Sequence, residues 1–118
     1  MPTLTEIRLN RAERRLEITF DDATRYSLPA EYLRVESPSA EVQGHGPKER
    51  QIIPGCRNVG ISAVEPVGHY AIRILFDDGH DTGIFTWDYL HTLGQDQHRR
   101  WAAYLDALAA KGLTRDRR

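Results

Sequence analysis

The sequence predicts an α+β fold: a small antiparallel β-sheet, a meander plus a hairpin, packed against C-terminal helices. Three observations predict it. Apolar residues alternate with polar ones at period two through residues 7–28. A second run, Tyr70-Ala71-Ile72-Arg73-Ile74-Leu75-Phe76, leads into an Asp-Gly turn. From Thr86 onward the apolar spacing changes to that of amphipathic helices. At 118 residues, with 40% hydrophobic and 28% charged side chains, the chain has the length and composition of one globular domain.

Ile7 and Leu9, then Leu16, Ile18 and Phe20, predict two strands flanking a turn at Asn10-Arg11-Ala12-Glu13. Asp21-Asp22-Ala23-Thr24 predicts a second turn, and Tyr26 with Leu28 a third strand. Pro29 suits the first position of a short helix through Ala30-Glu31-Tyr32-Leu33-Arg34. Residues 37–60 carry three prolines and four glycines and lose all periodicity, with Ile52-Ile53 as their one apolar pair. A loop of that length in a small domain is expected to be functional or mobile.

Periodicity returns at Ile61, Ala63 and Val64, followed by an expected turn at Pro66-Val67-Gly68. The strand through Ile72, Ile74 and Phe76 then turns at Asp77-Asp78-Gly79-His80 and returns along residues 82–85. Thr86 is placed to cap a helix whose Trp87 and Leu90, with His91, share a face and which Gly94 should stop. Asp96 is placed to cap a last helix with Trp101, Tyr104, Leu105 and Leu108 at helical spacing, ended by Gly112. One domain is expected over residues 1–113, with residues 114–118 as a disordered basic tail.

Net charge is −1, so no global field draws the chain to nucleic acid or to an anionic membrane. Its single cysteine, Cys56, excludes an internal disulfide and a cysteine-based zinc knuckle. No segment approaches the roughly 18 apolar residues of a membrane span, and the start shows no signal-peptide core. A cytoplasmic protein is the expectation. Neither a G-x-S-x-G elbow, a dinucleotide glycine motif nor a Walker loop is present.

Two sets of residues remain as candidate sites. Asp77, Asp78, His80 and Asp81 gather at one turn, and His45 lies between two glycines in the long loop. Histidine with carboxylates suits a divalent transition metal, with His80, His45, Asp78 and Asp81 as ligands. Against this, no HxH, HxxxH or HExxH pair fixes two ligands on one element, and turns are polar for their own reasons. Tyr89 falls off the Trp87/Leu90 stripe, and Arg99 with Arg100 opens a basic helix. These three are candidates for contact with a protein partner.

Four segments taken together are more specific. They are Tyr32-Leu33-Arg34, the run Ser37-Pro-Ser-Ala-Glu-Val-Gln-Gly-His45, Val67-Gly68-x-Tyr70-Ala71-Ile72, and Phe76-Asp77-Asp78-Gly79-His80-Asp81-x-Gly83-Ile84-Phe85-x-Trp87. Over roughly residues 4 to 94 the chain resembles the γ-butyrobetaine hydroxylase-like N-terminal domain, in its small stand-alone bacterial form of unknown function.

In the eukaryotic hydroxylases the resembled domain precedes an oxygenase domain. It binds a structural zinc through Leu-Arg-x-x-Cys-x-Cys-x-x-Cys and the histidine of an Asp-Gly-His turn. Carried over, the three cysteines fall on Ser37, Ser39 and Val42, and the histidine on His80. A zinc site of three cysteines and one histidine therefore cannot form, although His45 and His80 with nearby carboxylates could give a weak divalent-metal site.

Relatives fused to iron–sulfur cluster carrier proteins imply a link to cluster or oxygenase proteins. The chain carries neither oxygenase nor P-loop sequence, so a non-enzymatic binding or adaptor domain is expected, the metal-dependent protein being the alternative.

Overall fold

A computed structural model describes residues 2–38 and 52–116. The first sheet is the expected meander of β1 (Leu4–Asn10), β2 (Arg15–Phe20) and β3 (Arg25–Pro29), antiparallel in that order. Alternation sends Leu16, Ile18 and Phe20 of β2 to the core. The register sets Leu9 and Leu28 on either side of Leu16, and Ile7 and Tyr26 on either side of Ile18. The connecting turns place Arg14 and Ala23 at positive φ, 55° and 69°. Side chains brace both: Asn10 Oδ1 accepts from the Glu13 amide, and Asp22 Oδ1 from the Thr24 amide.

Pro29 ends β3 and stands just before α1 (Ala30–Val35). This helix is buried nearly all round, through Ala30, Glu31, Tyr32, Leu33 and Val35. The Tyr32 hydroxyl donates to the Leu93 carbonyl at 2.7 Å, and burial raises its pKa well above the ordinary phenol range.

The second sheet holds β4 (Ile61–Val67), β5 (Ala71–Phe76) and β6 (Ile84–Thr86), again antiparallel in sequence order. The fold is α+β, as expected, but the described strands form two three-stranded sheets and not one. The chain between Pro29 and Ile61 separates the meander from the hairpin, and Arg11 Nη2 donating to Ser62 O at 2.9 Å joins one to the other. Strand β4 runs on through Pro66, where the sequence suggests a turn. As an edge strand it tolerates a residue with no N–H to give. The Asp77-Asp78-Gly79 turn forms with Gly79 at φ 92°.

Thr86 caps α2 (Trp87–Gln95), its Oγ1 accepting from the Tyr89 amide at 3.1 Å. Leu90 and Leu93 are the residues α2 buries, while Trp87 is only partly covered and its indole N–H donates to His69 O. The helix passes through Gly94 and ends one residue later. The Tyr26 ring lies where a side chain at 94 would project: an added Cβ would be 2.4 Å from it. The expected cap at Asp96 has no side-chain hydrogen bond to the backbone; its carboxylate goes to Arg99 at 2.8 Å.

In α3 (Gln97–Ala110), Tyr104 and Leu108 are buried, but Leu105 is 38% exposed, contrary to its place in the sequence stripe. One residue past Tyr104, it is turned about 100° away from the core.

Side chains of the two sheets and three helices described share one core, with Leu16, Ile18, Leu28, Leu33, Ile72, Ile74, Phe85, Leu90 and Leu93 among its buried members. Beyond Gly112 (φ 66°), the described part of the segment expected to fray, residues 114–116, is docked. Thr114 O and Arg115 O accept from the Gly55 and Arg57 amides, each at 3.0 Å. Arg115 grips the buried Glu31 with two bonds of 2.8 and 2.6 Å and lies 5.2 Å over the Trp101 ring. No helix among the described residues is long and apolar enough to cross a membrane.

Candidate functional site

The end of α1 and the β5–β6 turn meet around His80. Because the turn at Gly79 reverses the chain tightly, the His80 carbonyl accepts from the Phe76 amide at 2.9 Å and the ring turns inward beside Phe76. From α1, Ser37 arrives on the other side. Ser37 Oγ and His80 Nε2 are 3.0 Å apart, and the two residues are 0% and 6% exposed. Gly83 makes the approach possible: a Cβ there would sit 2.3 Å from Ser37 Oγ and 3.1 Å from the Phe85 ring.

Asp78 is committed twice. Its Oδ1 accepts from the His80 amide at 3.0 Å, closing the turn, and its Oδ2 accepts from Arg34 Nε at 2.8 Å. The Arg34 side chain is 13% exposed and that of Asp78 26%, so the pair stays open to solvent on the Asp78 side. A guanidinium fixed on Asp78 opposes a cation at the same carboxylate. Asp81 is exposed, and His45 and Ser39 lie outside the described residues. Among the described residues, no group of three or more His, Cys, Asp or Glu side chains could hold a metal ion. The structural zinc of the resembled hydroxylases does not fit the residues described here, where a neutral serine hydroxyl faces the histidine in place of a thiolate.

The candidate interaction residues divide. Tyr89 is half-buried, its hydroxyl donating to Glu36 O at 2.5 Å while its ring packs on Phe85. Arg100 Nη1 donates to Glu36 Oε2 at 3.1 Å, with the guanidinium 5.9 Å over the Tyr89 ring. Glu36 is 2% exposed, so Arg100 supplies the opposite charge that a buried carboxylate requires. Arg99 projects outward, its side chain 71% exposed.

Arg34, Ser37 and Gly83 were legible as parts of the motifs, but their spacing in sequence carries no sign of the contacts they make. A cavity of about 690 Å³ adjoins the site, between the Asp77-Asp78 turn, residues 53–59 and the docked C-terminal segment.

A family model described as "Gamma-butyrobetaine hydroxylase-like, N-terminal" matches residues 7–91. Two proteins solved by NMR in solution are similar over 98% of the chain. One is 49% identical with a TM-score of 0.84 over 91% of its own length, the other 44% identical with 0.85 over 86%. A crystal structure of a protein of unknown function from Acidithiobacillus ferrooxidans ATCC 23270, assigned to the DUF971 family, is 41% identical. It matches 78% of this chain and 92% of its own with a TM-score of 0.66. No curated protein matches.

Proposed function

Because the chain belongs to the γ-butyrobetaine hydroxylase-like N-terminal family, we propose that it is a non-enzymatic adaptor domain that binds a protein partner. In this reading a hydrogen-bonded core does the structural work that zinc does in the resembled hydroxylases. The observation that carries it is the Ser37–His80 bond at 3.0 Å. A nucleophile or general base must reach its substrate. Ser37 is fully buried and His80 nearly so, while Asp78 is held by Arg34. The polar residues most suited to chemistry are thus built into the fold.

The outward side of α3 supports partner binding. Arg99 and Leu105 stand exposed, and a groove of about 540 Å³ runs past His98, Trp101 and Leu105. An exposed leucine beside a partly covered tryptophan is the kind of anchor that interfaces use. An iron–sulfur or oxygenase protein is the partner class that the family association favours.

Metal analysis of protein purified without a histidine tag tests the core, together with zinc and iron(II) titrations followed on the His45 and His80 ring signals. Unchanged rings and substoichiometric metal are expected. Stoichiometric metal would make this a metal protein instead. For the partner, capture from the native host should weaken with Arg99→Glu and with Leu105→Asp. Full capture by both variants would remove α3 as the binding face.

A further inference from the structure

We propose that the free edge of β1 is a self-association surface, on which a second copy of this chain adds its own β1 antiparallel about a two-fold axis at Ile7. Strand β2 lies between β1 and β3, so its residues give their backbone groups alternately to one neighbour and to the other. The Phe20 amide donates to Thr24 O on the β3 side, and Arg14 O accepts from the Ala30 amide on that side too. Leu16 and Ile18 therefore face β3, while Arg15, Glu17 and Thr19 face β1. Their register partners on β1 are Asn10, Arg8 and Glu6. The N–H and C=O groups of Ile7 and Leu9 are thus left pointing off the sheet, and among the described residues no strand pairs with them.

The other edges are blunted in ways that this one is not. Strand β3 ends in Pro29, β4 carries Pro66 and an irregularity between Ile61 and Ala63, and β6 has three residues. Strand β1 has an irregularity between Leu4 and Glu6, but its pairing is regular from Glu6 to Asn10. Ile7 stands opposite Ile18 and Leu9 opposite Leu16, both half-buried and packed against the core. A second β1 would cover their open side with the same apolar residues.

Charge fixes both the occupant and the register. Glu6 and Arg8 flank Ile7 on the outward face, their side chains 59% and 73% exposed. Antiparallel pairing centred on Ile7 sets Glu6 of each copy against Arg8 of the other, twice by symmetry. The two Ile7 residues exchange both backbone bonds, and the flanking charged pairs are the non-hydrogen-bonded ones, whose side chains lie closer. The contact of 3.5 Å between Arg8 and Glu6 within one strand then becomes part of a four-charge cluster of alternating sign. Centring on Arg8 would set two guanidiniums against each other, and centring on Leu9 would set Arg8 against Asn10. Ile7 is the axis at which this strand complements itself. So short a ladder makes a weak dimer, well below the size of a permanent interface.

This contact uses no residue of the α3 face and goes beyond the adaptor reading, so either can fail alone. Sedimentation equilibrium of the full chain from about 20 µM to about 1 mM is expected to show a monomer–dimer equilibrium that salt weakens. Glu6→Arg and Arg8→Glu each turn two attractions into two repulsions and should weaken the dimer at least about tenfold. Mixed in equal amounts, the two variants complement each other, and the double variant Glu6→Arg/Arg8→Glu complements itself. Both should return to within about threefold of the parent. Arg8 is also the register partner of Glu17, so the decisive result is rescue by mixing, which a folding defect in one variant could not produce. A monomer throughout, equal dimerisation in every variant, or a mixture no tighter than the single variants would each overturn the proposal.

Discussion

Ser37 Oγ and His80 Nε2 meet 3.0 Å apart in the interior, joining the end of α1 to the β5–β6 turn across 43 residues of sequence. Two positions that hold zinc ligands in the resembled hydroxylases are thus adjacent in this chain and bound to each other. A metal joins several segments with directional bonds; a single hydrogen bond joins two and contributes far less. Removing one partner leaves the other polar and buried, at a cost of about 1–3 kcal/mol. Ser37→Ala is therefore expected to lower unfolding free energy in urea by about that amount. In a double-mutant cycle with His80→Phe, the second change should cost less once the serine is gone. Strict additivity would show that the contact is incidental.

Arg99 and Arg100 are neighbours in sequence with opposite duties. Arg100 neutralises Glu36, whose side chain is 3% exposed, while Arg99 reaches into solvent toward Asp96. Arg100→Ala removes the guanidinium that faces this buried carboxylate. The expected loss is about 2 kcal/mol, less than for a fully enclosed pair because Arg100 keeps 22% of its side-chain exposure. Arg99→Ala should stay within about 0.5 kcal/mol of the parent, the usual range for an exposed charge. Chemical denaturation of the two variants separates them, and similar losses would contradict the assignment.

The strands of the meander and the Asp-Gly hairpin were legible because period two and a positive-φ glycine are local facts. Division of the strands between two sheets was not legible. Alternation says which face of β4 or β1 is buried but names no neighbour. Leu105 misled for a related reason: it is spaced with Leu108 as well as any core residue, and only the packing of Tyr104 shows which way α3 is turned.

At the site, His80 was found through its turn. The Arg34–Asp78 pair spans 44 residues and Ser37–His80 spans 43, distances at which spacing carries no geometric message. The resemblance alone set Ser37 and His80 in one ligand set, and their direct bond needed coordinates.

Gly94 tests packing against propensity. Alanine is the better helix former by about 1 kcal/mol, and in an exposed helix the exchange would stabilise. Here the added methyl would stand 2.4 Å from Cγ and Cδ2 of Tyr26, well inside contact distance, in a wall that also holds the His91 ring 5.7 Å from the Tyr26 ring. Overpacking of this kind costs about 1–3 kcal/mol, so Gly94→Ala is expected to destabilise on balance. In Gly94→Ala/Tyr26→Ala the sign of the glycine substitution should reverse, because the ring it strikes has gone. Thermal melts of the four proteins read this out directly.

Asp22 gives the fold a definite acid dependence. Its carboxyl is held below the ordinary value of 3.8, first by the Thr24 hydroxyl, then by the Thr24 amide, with His91 Nε2 at 3.2 Å adding to the effect. A carboxylate whose folded-state pKa is depressed stabilises the fold fully above its unfolded value. That contribution fades as pH falls through the folded-state value. In Asp22→Asn the amide does not titrate, so the difference in unfolding free energy between parent and variant should be constant above about pH 5 and shrink steadily below pH 4. His91 lies edge-on to Phe20 at 4.9 Å, tying the same turn to α2. Paired urea titrations between pH 3 and pH 6 measure the difference, and one that widened toward low pH would mean that Asp22 is not stabilised by these partners in the folded chain.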